Sequence, residues 1–537
     1  MMEEEQEMTT QQTGQPSQRT QQTDEAMQEQ DTAPPGFITP RRPAMHLPKL
    51  RWQLILAISV FYFGLSFQGT ALGLIILPSQ VLKMVGDVQK GEALAFVLIP
   101  GAFASLLVNP FFGMLSDQMR GRLAAWGRRR PYILAGTLVS AGGLIWMAMA
   151  RDIASLAVAN VLVQLASNAA QAPFHALLPD LVPQEQRGLV SGVMGLLTVS
   201  GTIGGAIIAG LFLDATQPPA MYQRGLWLAY GISIAVLVAC MLITIVSVRE
   251  RMTASARIAA PEAERAVAIP SLAVQRRRRP WLTRSTLLNI VGTLAIAGVA
   301  WAAMTVWNGL HLTGLQISDD GKQVILEVIA TIGILRLFDF HPRRDPDFAW
   351  VLLTRLVMML GISTIQTFLF FYMRDAVGTP HPEQQTTNFV IIISLTSLIS
   401  AVGAGWLSDR YGRKRMVYLS GGVMALVSLI FIVTHALPMV LAAGGLFGLG
   451  YGAYLCVDWA LVADVLPSQK DFARDMGVWN ISNSLPRLLA PIVAGPLIDT
   501  FAGLHQPVLG FQLLFAVAIV YCLIGTVTVR YIRGVKR

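Results

Sequence analysis

Charge is scarce in this 537-residue chain: 14% of its residues are Asp, Glu, Lys or Arg, against about 25% in soluble globular proteins. With 53% hydrophobic residues and a mean hydropathy of +0.53, the chain lacks the polar surface of a water-soluble globule, and lipid has to solvate much of it. Cysteine is scarcer still. Cys240, Cys456 and Cys522 each lie inside an apolar run with no CxxC pair or His/Cys cluster nearby, which leaves them as helix-packing residues rather than disulfide or metal partners. Also missing are a nucleophile–base pair, a nucleotide-binding loop and the short alternating segments of a membrane β-barrel. The start Met-Met-Glu-Glu-Glu has neither the basic residues nor the apolar core of a signal peptide.

What the chain has is about a dozen apolar runs of roughly 20 residues, the length a helix needs to cross about 30 Å of hydrocarbon. Candidate spans cover approximately 52–78, 92–115, 131–150, 153–175, 189–213 and 225–248, then 349–373, 387–406, 416–435, 438–463, 475–498 and 510–531. An all-α membrane protein of two six-helix bundles is expected. Residues 1–48, rich in Gln, Thr, Glu and Pro, read as a disordered cytoplasmic tail. The net charge of +9 does not mark a nucleic-acid binder, because nearly all the Lys and Arg fall in alternate loops. That is the positive-inside pattern, and it puts both termini of a multi-pass plasma-membrane protein in the cytoplasm.

The expected division is an N-terminal bundle at 49–248, an insertion at 249–348 and a C-terminal bundle at 349–537. The insertion opens as an arginine-rich linker suited to anionic headgroups. It then carries a clear apolar span at 286–310 and a shorter one at 324–338. If only one crossed, every later cationic loop would face outside, so parity favours an inserted hairpin and about fourteen spans. Glu327 in the shorter span would be costly to expose to lipid.

One motif is used twice. The loop after the second span reads Gly113-Met-Leu-Ser-Asp117, then Arg120, Arg122, Gly127, Arg128, Arg129 and Arg130; its later counterpart reads Gly405-Trp-Leu-Ser-Asp409-Arg410-Tyr-Gly412-Arg413-Lys414-Arg415. A second pair, Asp180-Leu-Val-Pro183 and Asp464-Val-Leu-Pro467, recurs in the same order, which indicates two homologous bundles. Glycine lets two helices approach closely, and an Asp at a helix end can pair with loop arginines or a neighbouring helix N-terminus. Contacts of this kind form and break with a change of state, so the motif reads as a conformational switch.

The stretch Gly405 to Arg415 resembles the signature loop of the major facilitator superfamily. Trp126-Gly-Arg-Arg-Arg-Pro-Tyr-Ile is similar to the corresponding loop of the glycoside–pentoside–hexuronide cation symporters and sucrose transporters, as is Asn168-Ala-Ala-Gln171-Ala-Pro173 ending in Asp180-Leu. The resemblance implies a carrier that works by alternating access. It departs from the pattern in two places: Gln118 follows Asp117 where an Arg is usual, and Gln164 stands where the sucrose carriers lead one to expect an Asp. Melibiose-like members hold a cation with acids in their first two helices, where this chain has only Glu92 at a span edge. A proton is therefore favoured over sodium as coupling ion.

Within the spans, Asn160, Gln164, Asn168 and Gln171 form one polar stripe, suited either to sugar hydroxyls or to interhelical hydrogen bonds. Tyr451, Tyr454 and Asp458 share a helix face, and Asp458 needs a partner, with Arg487 and Arg355 as the natural choices. That pair reads as a proton-coupling pair, a substrate anchor or a structural ion pair. Asn480 and Asn483 lie near Arg487, and Tyr62, Ser66 and Gln366 are further cavity candidates; Trp479 and Trp406 suit stacking on a sugar ring or interfacial anchoring. Coupling would fall to Asp458, with Arg487 or Arg355, or to Glu327. The expectation is a monomeric carrier of sugars or glycosides with a cation, in contact with lipid, without cofactor, metal or nucleic acid and not an enzyme. Efflux of small molecules by the same scaffold is the alternative, and a membrane sensor or enzyme a remote one. Replacing Asp117 or Asp409 with Asn is expected to slow transport without abolishing insertion; unchanged rates in both variants contradict the switch.

Overall fold

The computed structural model describes residues 50–87, 89–117, 127, 129–183, 186–247, 284–310, 345–465 and 472–533, with five helical positions between 325 and 336. Thirteen helices are described: α1 (Trp52–Val85), α2 (Lys90–Asp117), α3 (Arg130–Met149), α4 (Ile153–Leu181), α5 (Arg187–Phe212), α6 (Pro219–Ser247), α7 (Arg284–Leu310), α8 (Pro346–Asp375), α9 (Pro382–Tyr411), α10 (Arg413–Val433), α11 (Leu437–Val465), α12 (Phe472–Gly503) and α13 (Pro507–Thr528). Eleven of them are long and apolar enough to cross a membrane. No strand is present among the described residues.

Several helices run further than their hydropathy suggests. α6 begins at Pro219 rather than 225, α9 spans Pro382–Tyr411 rather than 387–406, and α12 continues to Gly503. Proline at the first helical positions of α6, α8, α9 and α13 explains the early starts, since its missing N–H is unpaired there anyway. α1 reaches Val85 rather than 78 by a π-helical turn at Ala71–Ile76, just before Pro78. The proline removes one backbone donor and crowds the carbonyl four residues back, and the wider turn absorbs both.

The same neighbours recur in both sets of six. α1 packs on α5 and α6 as α8 packs on α12 and α13; α2 packs on α4 as α9 packs on α11; α3 packs on α4 and α6 as α10 packs on α11 and α13. Between the sets, α2 packs on α12 and α5 on α9, a pair of contacts that the same two-fold exchanges. Close approach depends on glycine: a Cβ at Gly205 of α5 would sit 2.2 Å from the Phe67 carbonyl oxygen of α1, and one at Gly452 of α11 2.2 Å from that of Ser397 in α9.

The arginine-rich loops lie at one end of this bundle, called here the arginine end. At the opposite end an aromatic cluster fixes the C-terminus of α8. The Tyr372 ring meets Phe515 edge-on at 4.8 Å, Phe431 packs on Phe515 at 5.2 Å, and the Tyr372 hydroxyl donates to the Phe431 and Thr434 carbonyls. Aromatic pairs of this kind contribute about 0.5–1.5 kcal/mol each beyond burial. They hold Arg374 and Asp375, the next residues along the chain, in place. On α7, Ile296, Val299, Trp301 and Trp307 are exposed, as on a helix facing lipid. Gly333 lies close against Thr293 of α7. Most of 324–338, including Glu327, lies outside the described residues, as does the tail before Leu50.

Candidate functional site

Hydrogen bonds and ion pairs join the two sets of helices at the end opposite the arginine loops. Lys90, the first residue of α2, is 2% exposed and pairs with Asp375 at the end of α8, its ammonium 5.5 Å from the Phe371 ring centre. Arg374 pairs with Asp87 in the α1–α2 turn, and its hydrogen bond holds the Asp87 carboxyl below the usual range. The Asp499 carboxylate of α12 accepts the main-chain N–H groups of Gly91 at 2.8 Å and Glu92 at 2.7 Å, capping α2. Gly91 has to be glycine or shift, because a Cβ there would lie 2.6 Å from the Gly495 oxygen.

The same seam continues between α5 and α9. Thr387 Oγ1 donates to the Ala206 carbonyl at 2.8 Å. Glu383, in the first turn of α9, accepts from Ser79 Oγ of α1 at 3.1 Å and from the Ala215 N–H at 2.9 Å, and His381 Nδ1 lies 3.3 Å from the Asp214 carboxylate. None of these residues stood out in the sequence as a site. Lys90 and Arg374 read as scattered loop cations, while Glu383, Asp375 and Asp499 fell outside the trimmed apolar runs.

Deeper in the second set of helices, Asp458 of α11 and Arg355 of α8 form an ion pair with both side chains under 5% exposed. Of the two arginines considered as partners, Arg355 is the one the fold brings to Asp458, and Arg487 is exposed. The Arg355 guanidinium lies 3.7 Å from the Trp479 ring centre, Trp479 packs on Trp459 at 4.3 Å, and the Tyr454 hydroxyl lies 3.4 Å from the other Asp458 oxygen. Trp479 is thus buried against an arginine, and Trp406 is 64% exposed. Tyr451 stacks on Phe447, and Gln366 is half-buried. The side chains of Asn480 and Asn483 lie outside the described residues.

The repeat relates this pair to an aromatic cluster. Asp458 stands six residues before Asp464, and Phe174 stands six before Asp180. There Tyr62 of α1 packs against Phe174 at 5.0 Å and stacks on His175 at 5.4 Å and 11° between planes. The same crossing of helices is an ion pair in one set and a ring stack in the other. Sequence reading singled out Tyr62 but missed His175, whose signal was its place in the Asn168 to Asp180 stretch.

The polar stripe on α4 is divided by its surroundings. Asn160 is buried and donates to the Val97 carbonyl of α2 at 2.8 Å, an interhelical bond, in contact with Gly101. Gln164, Asn168 and Gln171 are half-buried, as is Ser66 on α1, and the Asn168 amide donates to the Gln164 carbonyl at 2.7 Å.

At the arginine end, Gly127 and Gly412 take positive φ angles of 126° and 92°, which side chains rarely adopt. Gly412 ends α9 and leads directly into α10. Two loop arginines do equivalent work: Arg129 donates to the Pro173 carbonyl of α4 at 3.2 Å, and Arg413 donates to the Ala460 carbonyl of α11. Arg130 opens α3 half-buried, Gly405 lies in contact with Cys456, and Arg410 sits 5.5 Å from the Trp406 ring. Arg120, Arg122 and Arg128 lie outside the described residues, as do the side chains of Asp117 and Asp409 and the surroundings of Gly113.

Breaking the buried pair on one side strands a charge. Asp458→Asn is expected to cost about 3–5 kcal/mol of stability, while Arg355→Met with Asp458→Leu recovers most of it. Thermal melts of the purified variants check this, and simple addition of two losses contradicts a buried ion pair.

A profile described as Major Facilitator Superfamily matches residues 343–537, and one described as MFS/sugar transport protein matches 90–319. An uncharacterized MFS-type transporter of Mycobacterium tuberculosis, Rv1877, is 25% identical over 394 residues, 72% of this chain, which spans about half the length of that relative at 50%. Sucrose transport protein SUC3 of Arabidopsis thaliana is 31% identical over 133 residues, 21% of this chain and 22% of its own length. Multidrug efflux pump LfrA of Mycolicibacterium smegmatis is 24% identical over 161 residues, 29% of this chain and 32% of its own. Among solved structures, nucleoside transporter NupG superposes with a TM-score of 0.60 at 11% identity, covering 89% of this chain and 99% of its own. Two profiles of one superfamily, matched in series on the two repeated sets of helices, identify the chain as a member of the major facilitator superfamily.

Proposed function

We propose that the chain is a secondary transporter that moves sugars or glycosides across the plasma membrane by alternating access, with a proton as the coupling ion. The observation that carries the substrate class is the coincidence of two features: the sugar-transport profile covers 90–319, and that stretch holds the half-buried amides Gln164, Asn168 and Gln171. Amides offer donors and acceptors together, which is what a ring of hydroxyls requires. The Tyr62–His175 stack beside them supplies a flat aromatic surface, the usual companion of such hydroxyls.

Positive-inside loops put the arginine end in the cytoplasm, so the seam of Lys90, Asp375, Glu383 and Asp499 closes the outward side. Transport then requires that this seam open while contacts at the arginine end form. The two states have to lie within a few kcal/mol of each other for either to be reached. The repeated Asp117 and Asp409 loops supply the opposing set. Arg355 neutralises Asp458, a combination suited to anchoring a polar solute or holding α8, α11 and α12 together rather than to carrying a proton. Both repeats lie in one chain, so a monomer suffices.

Efflux of small apolar or cationic compounds is the second reading, favoured by the local likeness to the efflux pump LfrA. Counterflow of labelled mono- and disaccharides in proteoliposomes separates the two, because exchange needs no knowledge of the coupling ion. A saturable signal for a glycoside is expected. A flat response across the panel from folded protein overturns the sugar reading and leaves efflux.

A further inference from the structure

We infer that Glu383 is a pH-responsive latch whose protonation closes the outward seam. The inference rests on the reading of this seam as the outward closure of a transporter.

Glu383 is 1% exposed, and no cation pairs with it among the described residues. Its neighbours differ in kind from those of the other seam acids. Asp375 meets Lys90, Asp87 meets Arg374, and Asp499 meets two amide hydrogens with one on each oxygen. In Glu383 both donors, Ser79 Oγ and the Ala215 N–H, converge on Oε1, while Oε2 is buried and has no hydrogen-bond partner. A buried carboxylate with one oxygen unpaired and no cation in contact is the arrangement that ionisation makes costly. A proton on Oε2 removes the charge and leaves Oε1 free to accept both existing bonds.

The groups facing Glu383 agree with this. From α1 come Ser79 and, further along, Lys83, whose ammonium sits 5.3 Å over the Tyr222 ring of α6; the Tyr222 hydroxyl in turn lies 3.1 Å from Ser79 Oγ. The α5–α6 turn brings Asp214, a like charge, whose own partner His381 precedes Glu383 on the chain. Arg374 at the end of α8 is close enough for its charge to act on Glu383, but its contacts are with Asp87 and Asp375. The N-terminus of α9 favours a negative charge, which keeps the ionised state within reach when water arrives.

Beside its own main-chain N–H, the donors that reach Glu383 belong to the first set of helices, and Glu383 to the second. Opening the outward side therefore strips Ser79 and Ala215 from the carboxyl and exposes it to external water, where it releases a proton readily. Closing the side buries it again, and the closed state binds the proton more tightly. By linkage, acid favours the closed seam and base the open one. The proton on Glu383 comes from the outside and returns there when the seam reopens, so the latch sets the balance of states by external pH without itself carrying charge across.

The test reads conformation and needs no solute. Spin labels are placed at Ala220→Cys in α6 and Gln506→Cys before α13, with Cys456 changed to Ala, and the distance distribution is recorded in lipid nanodiscs from pH 5 to 9. The wild-type ratio of open to closed populations is expected to rise with pH, by up to tenfold per unit for one proton. Glu383→Gln, which fixes the neutral form, is expected to stay closed throughout, and His381→Gln to keep the wild-type response. A pH response that survives in Glu383→Gln, one lost only in His381→Gln, or a wild type indifferent to pH overturns the assignment. Solute-driven acidification of proteoliposomes reports separately on whether transport is proton-coupled.

Discussion

A seam of polar groups at one end of an otherwise apolar bundle is the interaction on which the rest of the structure depends. Within each set of six helices, glycine-mediated packing and aromatic clusters fix the neighbours. Between the sets, α2 meets α12 through Asp499 and α5 meets α9 through Thr387, while Lys90 with Asp375 ties α2 to α8 and Glu383 with Ser79 ties α9 to α1. Lipid gives helices no hydrophobic reason to associate with one partner over another, so hydrogen bonds and close packing decide it. Polar groups placed at the rim rather than at mid-depth can trade their partners for water at modest cost. That is the property a reversible closure requires.

The two halves share a backbone plan but not a chemistry. Where the second half buries Arg355 with Asp458 and stacks it on Trp479, the first half places Tyr62, Phe174 and His175. The arginines at the starts of α3 and α10, by contrast, are used alike, Arg129 fastened to a carbonyl of α4 and Arg413 to one of α11. The two halves thus match at the loops and differ in the interior. Under the proposed function, the differences between halves are where substrate choice would lie, with the half-buried amides of α4 and the ring stack on one side and a neutralised charge on the other.

Hydropathy and the repeated loops made the fold legible, because a helix in lipid has to be apolar for about 20 residues and a duplicated bundle repeats its motifs. The buried Asp458 was legible for the same reason: an acid in a span demands a partner, and Arg355 was one of two considered. The seam was not. Trimming spans to their apolar centres removed Lys90, Asp375, Glu383 and Asp499, which lie in the first or last turns where charge is ordinarily solvated. Only the tertiary contact between halves turns those ends inward. At Asn160, of the two uses the sequence left open for the polar stripe, the fold shows the interhelical bond, to the Val97 carbonyl of the adjacent helix.

The most direct test of the account is to fasten the seam. A Cβ on Gly210 would lie 3.0 Å from that of Thr387, within about 1 Å of the separation a disulfide spans. Gly210→Cys with Thr387→Cys should therefore cross-link on mild oxidation. Solute counterflow is predicted to stop in the oxidised protein and return with reductant, while the reduced double variant keeps exchanging. Full exchange through the cross-linked protein would contradict a mechanism in which the two halves part at this end.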